Sequence, residues 1–208
     1  MTTPTLSELR AAWARRDYST NPTSRAAIRL LANGRPVSPE ALAAATGLTV
    51  DQVDSYIATV RGAGAEVEDG AIVGLALTLR PTGHRFRVRG HDLYAWCGYD
   101  TLFLPIILGE PAGVGSTCPV TGTEIRLTVQ PDGTVSAATP STVVVGIVGE
   151  QVTSCCSVAG PESAICTQMP LFASREAGAR WQTDHPGVAV VDLTDAREVA
   201  RAYVEEGC

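Results

Sequence analysis

Lysine is absent from this sequence: all 16 basic residues are Arg, against 22 Asp and Glu, and the net charge is -6. An acidic chain without Lys argues against a general nucleic-acid binder, because attraction to phosphate needs a cationic face. Long apolar runs are absent too. No stretch reaches the roughly 18 residues of a membrane-spanning helix. The first residues, MTTPTLSELRAAWARR, lack the basic start and apolar run of a secretory signal. The expectation is a cytoplasmic protein whose six cysteines, Cys97, Cys118, Cys155, Cys156, Cys166 and Cys208, are reduced. There is no C-x-x-C pair, and His84, His91 and His185 are scattered, so a structural zinc site is not expected.

The 208 residues are 45% hydrophobic and 18% charged, enough to build a sizeable core without disulfides. Apolar spacing predicts a helix over residues 6–16 and a second from Pro22 or Thr23 to the Asn33-Gly34 stop. Ser38-Pro39 opens a short helix that Gly47 ends. Thr49 and Gln52 form a capping-box pattern ahead of a helix bearing Val53, Ile57 and Val60. Two short strands follow, joined by Asp69-Gly70, a hairpin signal. Helices followed by a two-stranded wing make a winged-helix pattern, covering roughly residues 20–75.

Beyond Arg80-Pro81 the pattern changes. HRFRVR (84–89) alternates as a strand, and the apolar run 91–108 reads as a helix despite Pro105. Strands are expected at 124–130, 142–148, 165–172 and 188–191, and a loop at 149–164. Ser174 and Thr194 are expected to cap the last two helices. The fold class is α+β: a helical winged-helix-like module over residues 1–80, then a mixed-strand α+β core over 81–208.

Three cysteine segments could carry chemistry. On a helix, Cys97 and Asp100 of YAWCGYD share a face, which sets a thiol beside a carboxyl. Sulfur binds a soft electrophile, and the carboxyl moves the released proton. Spacing alone favours a buried core thiol with an unrelated surface Asp, since free Cys is usually a small core hydrophobe. Cys166 stands at the expected start of a strand, a suitable place for a rigid ligand. Cys118, among small residues in STCPVTG, reads as packing.

The order Leu93-Tyr94-Ala95-Trp96-Cys97-x-x-Asp100-Thr101-Leu102, then Cys118 with Thr121-Gly122, then Cys166 with Phe172-Ala173-Ser174 and Trp181, resembles the organomercurial (alkylmercury) lyase family. The resemblance spans most of the chain, including the winged-helix-like module. It implies that Cys97 and Cys166 are the catalytic cysteines, Asp100 the catalytic acid and Cys118 a structural cysteine. It implies that the two thiolates capture R–Hg(II) and that Asp100 protonates the carbon as the carbon–mercury bond breaks. The products are a hydrocarbon and Hg(II) held by two sulfurs. It further implies a small organomercurial substrate, with small thiols or a mercuric reductase as Hg(II) acceptor, and no resident cofactor. Trp96, Leu93, Leu102 and Phe103 would make a dry pocket for the organic group, raising the pKa of Asp100.

The chain departs from the family pattern after Cys166, where Thr167 and Gln168 stand in place of a second Cys or His. Its Cys155-Cys156 pair lies ten residues earlier, either as idle thiols or as an auxiliary mercury-capture or release site. Two other functions compete. The scaffold could process another soft metal or a different substrate. A metal-responsive winged-helix regulator is disfavoured, because the candidate recognition helix carries Asp51 and Asp54 and only one Arg.

Overall fold

The computed structural model describes residues 3–15, 21–149 and 165–206; Cys155, Cys156 and Cys208 lie outside the described residues. The N-terminal helices start where the capping residues put them. Asn21 accepts from Ser24 N ahead of α2 (Pro22–Leu31), and Ser38 accepts from Ala41 N ahead of α3 (Pro39–Thr46). Thr49 and Gln52 cap α4 (Val50–Gly62) reciprocally. Each such cap is worth about 1 kcal/mol. Ala27, Ile28, Leu31, Leu42, Val53, Ile57 and Val60 are buried along these helices. Strands β1 (Glu66–Glu68) and β2 (Ala71–Leu75) form the expected wing, with Asp69 and Gly70 both at positive φ in the turn.

The wing is continuous with the rest of the molecule. After β2 the chain enters β3 (Leu77–Thr78), then β4 (His84–Val88), β5 (His91–Ala95), β6 (Ala112–Thr117), β7 (Glu124–Val129) and β8 (Val135–Thr139). These eight strands form one sheet in the order β1-β2-β3-β5-β4-β6-β7-β8. A second sheet has the order β10-β9-β11, from β9 (Val144–Val148), β10 (Leu171–Phe172) and β11 (Val188–Asp192). Every pairing among the described strands is antiparallel, so the core expected to have mixed strands is antiparallel.

One face of the large sheet is core. Phe86, Val88, Leu93, Ala95, Val114, Ile125 and Leu127 are buried, while Arg85, Arg87 and Arg126 on the opposite face are exposed. Helix α5 (Asp100–Leu108) is buried almost throughout and packs on β7 and α2. The second sheet carries α6 (Arg175–Asp184) and α7 (Leu193–Arg201). Helix α1 (Leu6–Ala14) packs on α7 and on the closing turn 202–206. Its Trp13 donates Nε1–H to the Val148 carbonyl at 3.0 Å and packs at a tilt against Tyr99, with ring centres 4.6 Å apart.

Several elements differ from expectation. Residues 91–108 are not one helix: β5 pairs with both β3 and β4, and α5 begins only at Asp100. The cause is a two-residue hairpin turn at Arg89-Gly90, both at positive φ, which folds 91–95 back onto β4. Arg at the first position hid a turn that Asn or Asp would have announced. Residues 165–172 form a 3₁₀ turn (Cys166–Gln168) and the two-residue β10 rather than one strand. Pro170 lacks the N–H that a continuous strand would use there. Asp192 caps α7 in place of Thr194, accepting from Asp195 N. Strands β3, β6 and β8 had no expectation attached.

Candidate active site

Cys97 lies in the turn between β5 and α5, not on a helix as the spacing suggested. Its pairing with Asp100 is nonetheless direct and reciprocal. Asp100 N–H donates to Cys97 Sγ at 3.4 Å, and Cys97 N–H donates to Asp100 Oδ2 at 3.1 Å. This is the hydrogen-bond pattern of a capping box, with Cys in place of Ser/Thr and Asp in place of Glu/Gln. The C-x-x-D spacing therefore closes the turn that leads into α5 and brings a thiol against a carboxylate, while the helix itself begins after Tyr99 without a side-chain cap. Thr101 Oγ1 donates to the Gly98 carbonyl at 2.6 Å and closes the turn.

Cys166 arrives from the other sheet. The 3₁₀ turn it opens packs on β9, and Pro170 O accepts from Gly146 N at 3.0 Å. The Cys97 and Cys166 sulfurs and an Asp100 carboxylate oxygen all lie within 4.8 Å of one another. Among the described residues this is the one group of three or more potential metal-ligating side chains. Cys97 is fully buried, Asp100 is 6% exposed and Cys166 is partly exposed.

Burial pushes the Cys97 thiol well above its usual pKa, and the Cys166 sulfur and the Asp100 carboxylate push the same way. The hydrogen bond from the Asp100 backbone opposes this without overturning it. Cys97 is therefore a thiol at neutral pH, with a carboxylate alongside that can take its proton. Leu93, Trp96, Leu102 and Phe103, expected as apolar surroundings, are all buried.

The other candidates lie apart. Cys118 is buried at the corner between β6 and β7, with its backbone bonded to Thr123 O and to Gly122 N. Burial raises its pKa. Hydrogen bonds from the Thr121 hydroxyl and from the backbone of Ala173, Thr121 and Val120 outweigh that and lower it overall. His84 Nδ1 is bonded to Ser116 Oγ at 3.0 Å, His185 stacks on Trp181, and His91 is exposed. Sequence reasoning missed Gly98, on which the turn rests, and the contact of Trp13 with Tyr99. The capping-box pattern was the available signal for the turn; nothing in the sequence announced Trp13.

A family model described as alkylmercury lyase matches residues 77–205, and one for the helix-turn-helix domain of alkylmercury lyase matches residues 15–76. Alkylmercury lyase of Streptomyces lividans is 42% identical over 181 residues, 87% of this chain and 81% of its own. That of Staphylococcus epidermidis is 41% identical, covering 88% and 83%, and that of Pseudomonas putida 36% identical, covering 81% and 76%. The crystal structure of the mercury-bound form of MerB2 superposes with a TM-score of 0.74 at 25% identity, over 97% of this chain and 100% of that one.

Proposed function

Because the chain belongs to the alkylmercury lyase family, its reaction is protonolysis of a carbon–mercury bond, and we propose that Cys97, Cys166 and Asp100 carry it out. The observation behind this assignment is the convergence of two sulfurs and a carboxylate oxygen within 4.8 Å, from segments far apart in sequence.

Mercury is a soft cation, and thiolate is the softest ligand a protein offers. Cys166, the partly exposed sulfur, meets R–Hg(II) first and displaces the small thiolate that brought it. Cys97 then bonds mercury, and its proton passes to the Asp100 carboxylate alongside. Two sulfur donors load electron density onto mercury and weaken the carbon–mercury bond. Asp100 delivers the proton to carbon as that bond breaks, so no free carbanion forms. The hydrocarbon leaves, and Hg(II) remains between Cys97 and Cys166. Mercury is substrate and product here, and the sequence of steps calls on no resident cofactor.

Small thiols or a mercuric reductase take the Hg(II). We read the protein as cytoplasmic; among the described residues no helix is long and apolar enough to cross a membrane. The module over 1–80 serves as a buttress for the core over 81–208. Arg29 Nε donates to Ile107 O at 3.0 Å, near the C-terminal end of α5, whose first turn holds the site. On α4, Asp51 and Asp54 are exposed, where they would oppose phosphate.

Phenylmercury with excess small thiol tests the reading. One benzene per protein in the first turnover is expected, with none from Cys97→Ser or Cys166→Ser. A folded wild-type chain that releases no benzene refutes it.

A further inference from the structure

We propose that Gly98 is a positioning residue that sets the separation of the Cys97 and Cys166 sulfurs, the bite with which the site grips a metal. The consequence for turnover rests on the lyase reading; the bite itself is measurable without it.

Gly98 is buried and follows Cys97 directly. A Cβ at this position would sit 2.7 Å from Leu171 N, 2.9 Å from Met169 O and 2.9 Å from the Pro170 carbonyl carbon. All three are main-chain atoms, which cannot swing aside as a flexible side chain can. The backbone of Gly98 is not in the left-handed region, so the demand is for room rather than for conformational freedom.

Neither partner can easily retreat. The turn is tied by the Thr101 hydroxyl on the Gly98 carbonyl, at 2.6 Å. The segment opposite rests on β9 at a second glycine: Gly146 donates to Pro170 O at 3.0 Å, and a Cβ on Gly146 would meet Gln168 O at 3.1 Å. Gly98 touches the stretch that begins three residues after Cys166. A side chain at position 98 is therefore a wedge between the two strands of chain that carry the sulfurs.

In a Cys155→Ser/Cys156→Ser background, used for every variant below, phenylarsine oxide reads the bite, because its arsenic bonds two thiol sulfurs at once and its oxygen leaves as water. Gly98→Val is expected to weaken arsenical binding and slow single-turnover benzene release, each by about tenfold or more, since displacements near 1 Å cost rates of that order. Alkylation of Cys166 by N-ethylmaleimide, which needs one sulfur only, should stay within about twofold of wild type, as a global loosening would not allow. Gly62→Ala, at the end of α4 with open space around it, should leave all three unchanged. Gly98→Val with wild-type arsenical affinity overturns the proposal. Should that variant not fold, Gly98→Ala decides: reduced arsenical affinity supports the wedge, and wild-type affinity overturns it. If wild type binds the arsenical but makes no benzene, the lyase reading fails and the arsenical series still decides the bite.

Discussion

Cys97 sits in a buried turn closed by its bonds to Asp100 just ahead of α5, whereas Cys166 opens a 3₁₀ turn and keeps part of its surface exposed. The first sulfur is held by its neighbours in sequence; the second is delivered by a different sheet. Burial and an adjacent carboxylate keep the proton on Cys97. On the proposed mechanism the contrast separates two tasks: an approachable sulfur admits the substrate, and an enclosed one supplies the proton that ends the reaction.

Serine substitutions test the contrast most severely. Cys97→Ser and Cys166→Ser should both reduce cleavage below detection, because a hydroxyl is a hard, weak ligand for mercury. Their stabilities should diverge. A Ser hydroxyl can accept the Asp100 N–H in place of the sulfur, so Cys97→Ser should melt near the wild-type temperature while being inactive. A calorimetric loss of more than about 1 kcal/mol in Cys97→Ser would show that an oxygen cannot replace the sulfur in this turn. Asp100→Asn keeps a side-chain oxygen for the Cys97 N–H but cannot carry a proton. Mercury should still bind, with single-turnover cleavage slower by about 10²-fold or more.

Thiol reactivity comes next in size. Iodoacetamide should modify Cys166 at least about tenfold faster than Cys97 at pH 7, and Cys97 should gain rate only as pH climbs beyond the ordinary thiol range. Equal rates, read by peptide mass spectrometry, would erase the distinction between the two sulfurs. Away from the site, Cys118→Ser should cost about 1–2 kcal/mol of stability through lost packing, with turnover per folded molecule retained. Acid acts through His84, whose burial lowers its pKa from 6.5 to about 4. The unfolded chain takes up this proton first, so the stability His84 contributes is complete above pH 6.5 and drains as pH falls toward 4. His84→Gln should flatten the acid limb of the melting-temperature profile.

Where the sequence was most readable, local chemistry decided the structure. Asn21, Ser38, Thr49 and Ser174 start helices because their side chains accept backbone N–H groups, whatever lies beyond. The same holds for the Asp69-Gly70 hairpin. Legibility failed where long-range pairing overrode local pattern. Residues 91–95 are apolar enough for a helix, yet hydrogen bonds from β3 and β4 on either side make them a strand. Cys97 and Asp100 were found by their residue types and spacing, although the element assumed to hold them was wrong. The distance between Cys97 and Cys166 was beyond any local rule, since it depends on how the segment 169–171 comes to rest against the turn at Gly98.

The reciprocal bonds between Cys97 and Asp100 also bear on descent. Closing the turn ahead of α5 needs only an oxygen or sulfur at position 97 and an acceptor at position 100, and Ser-x-x-Asp would serve that purpose as well. A lineage that stopped meeting organic mercury could keep the fold and drift to an oxygen at position 97. Cys-x-x-Asp at this corner is thus a marker with two layers: its spacing records the fold, and its elements record the chemistry. Relatives with the corner intact but the sulfur gone should prove stable, well folded and inert toward mercury.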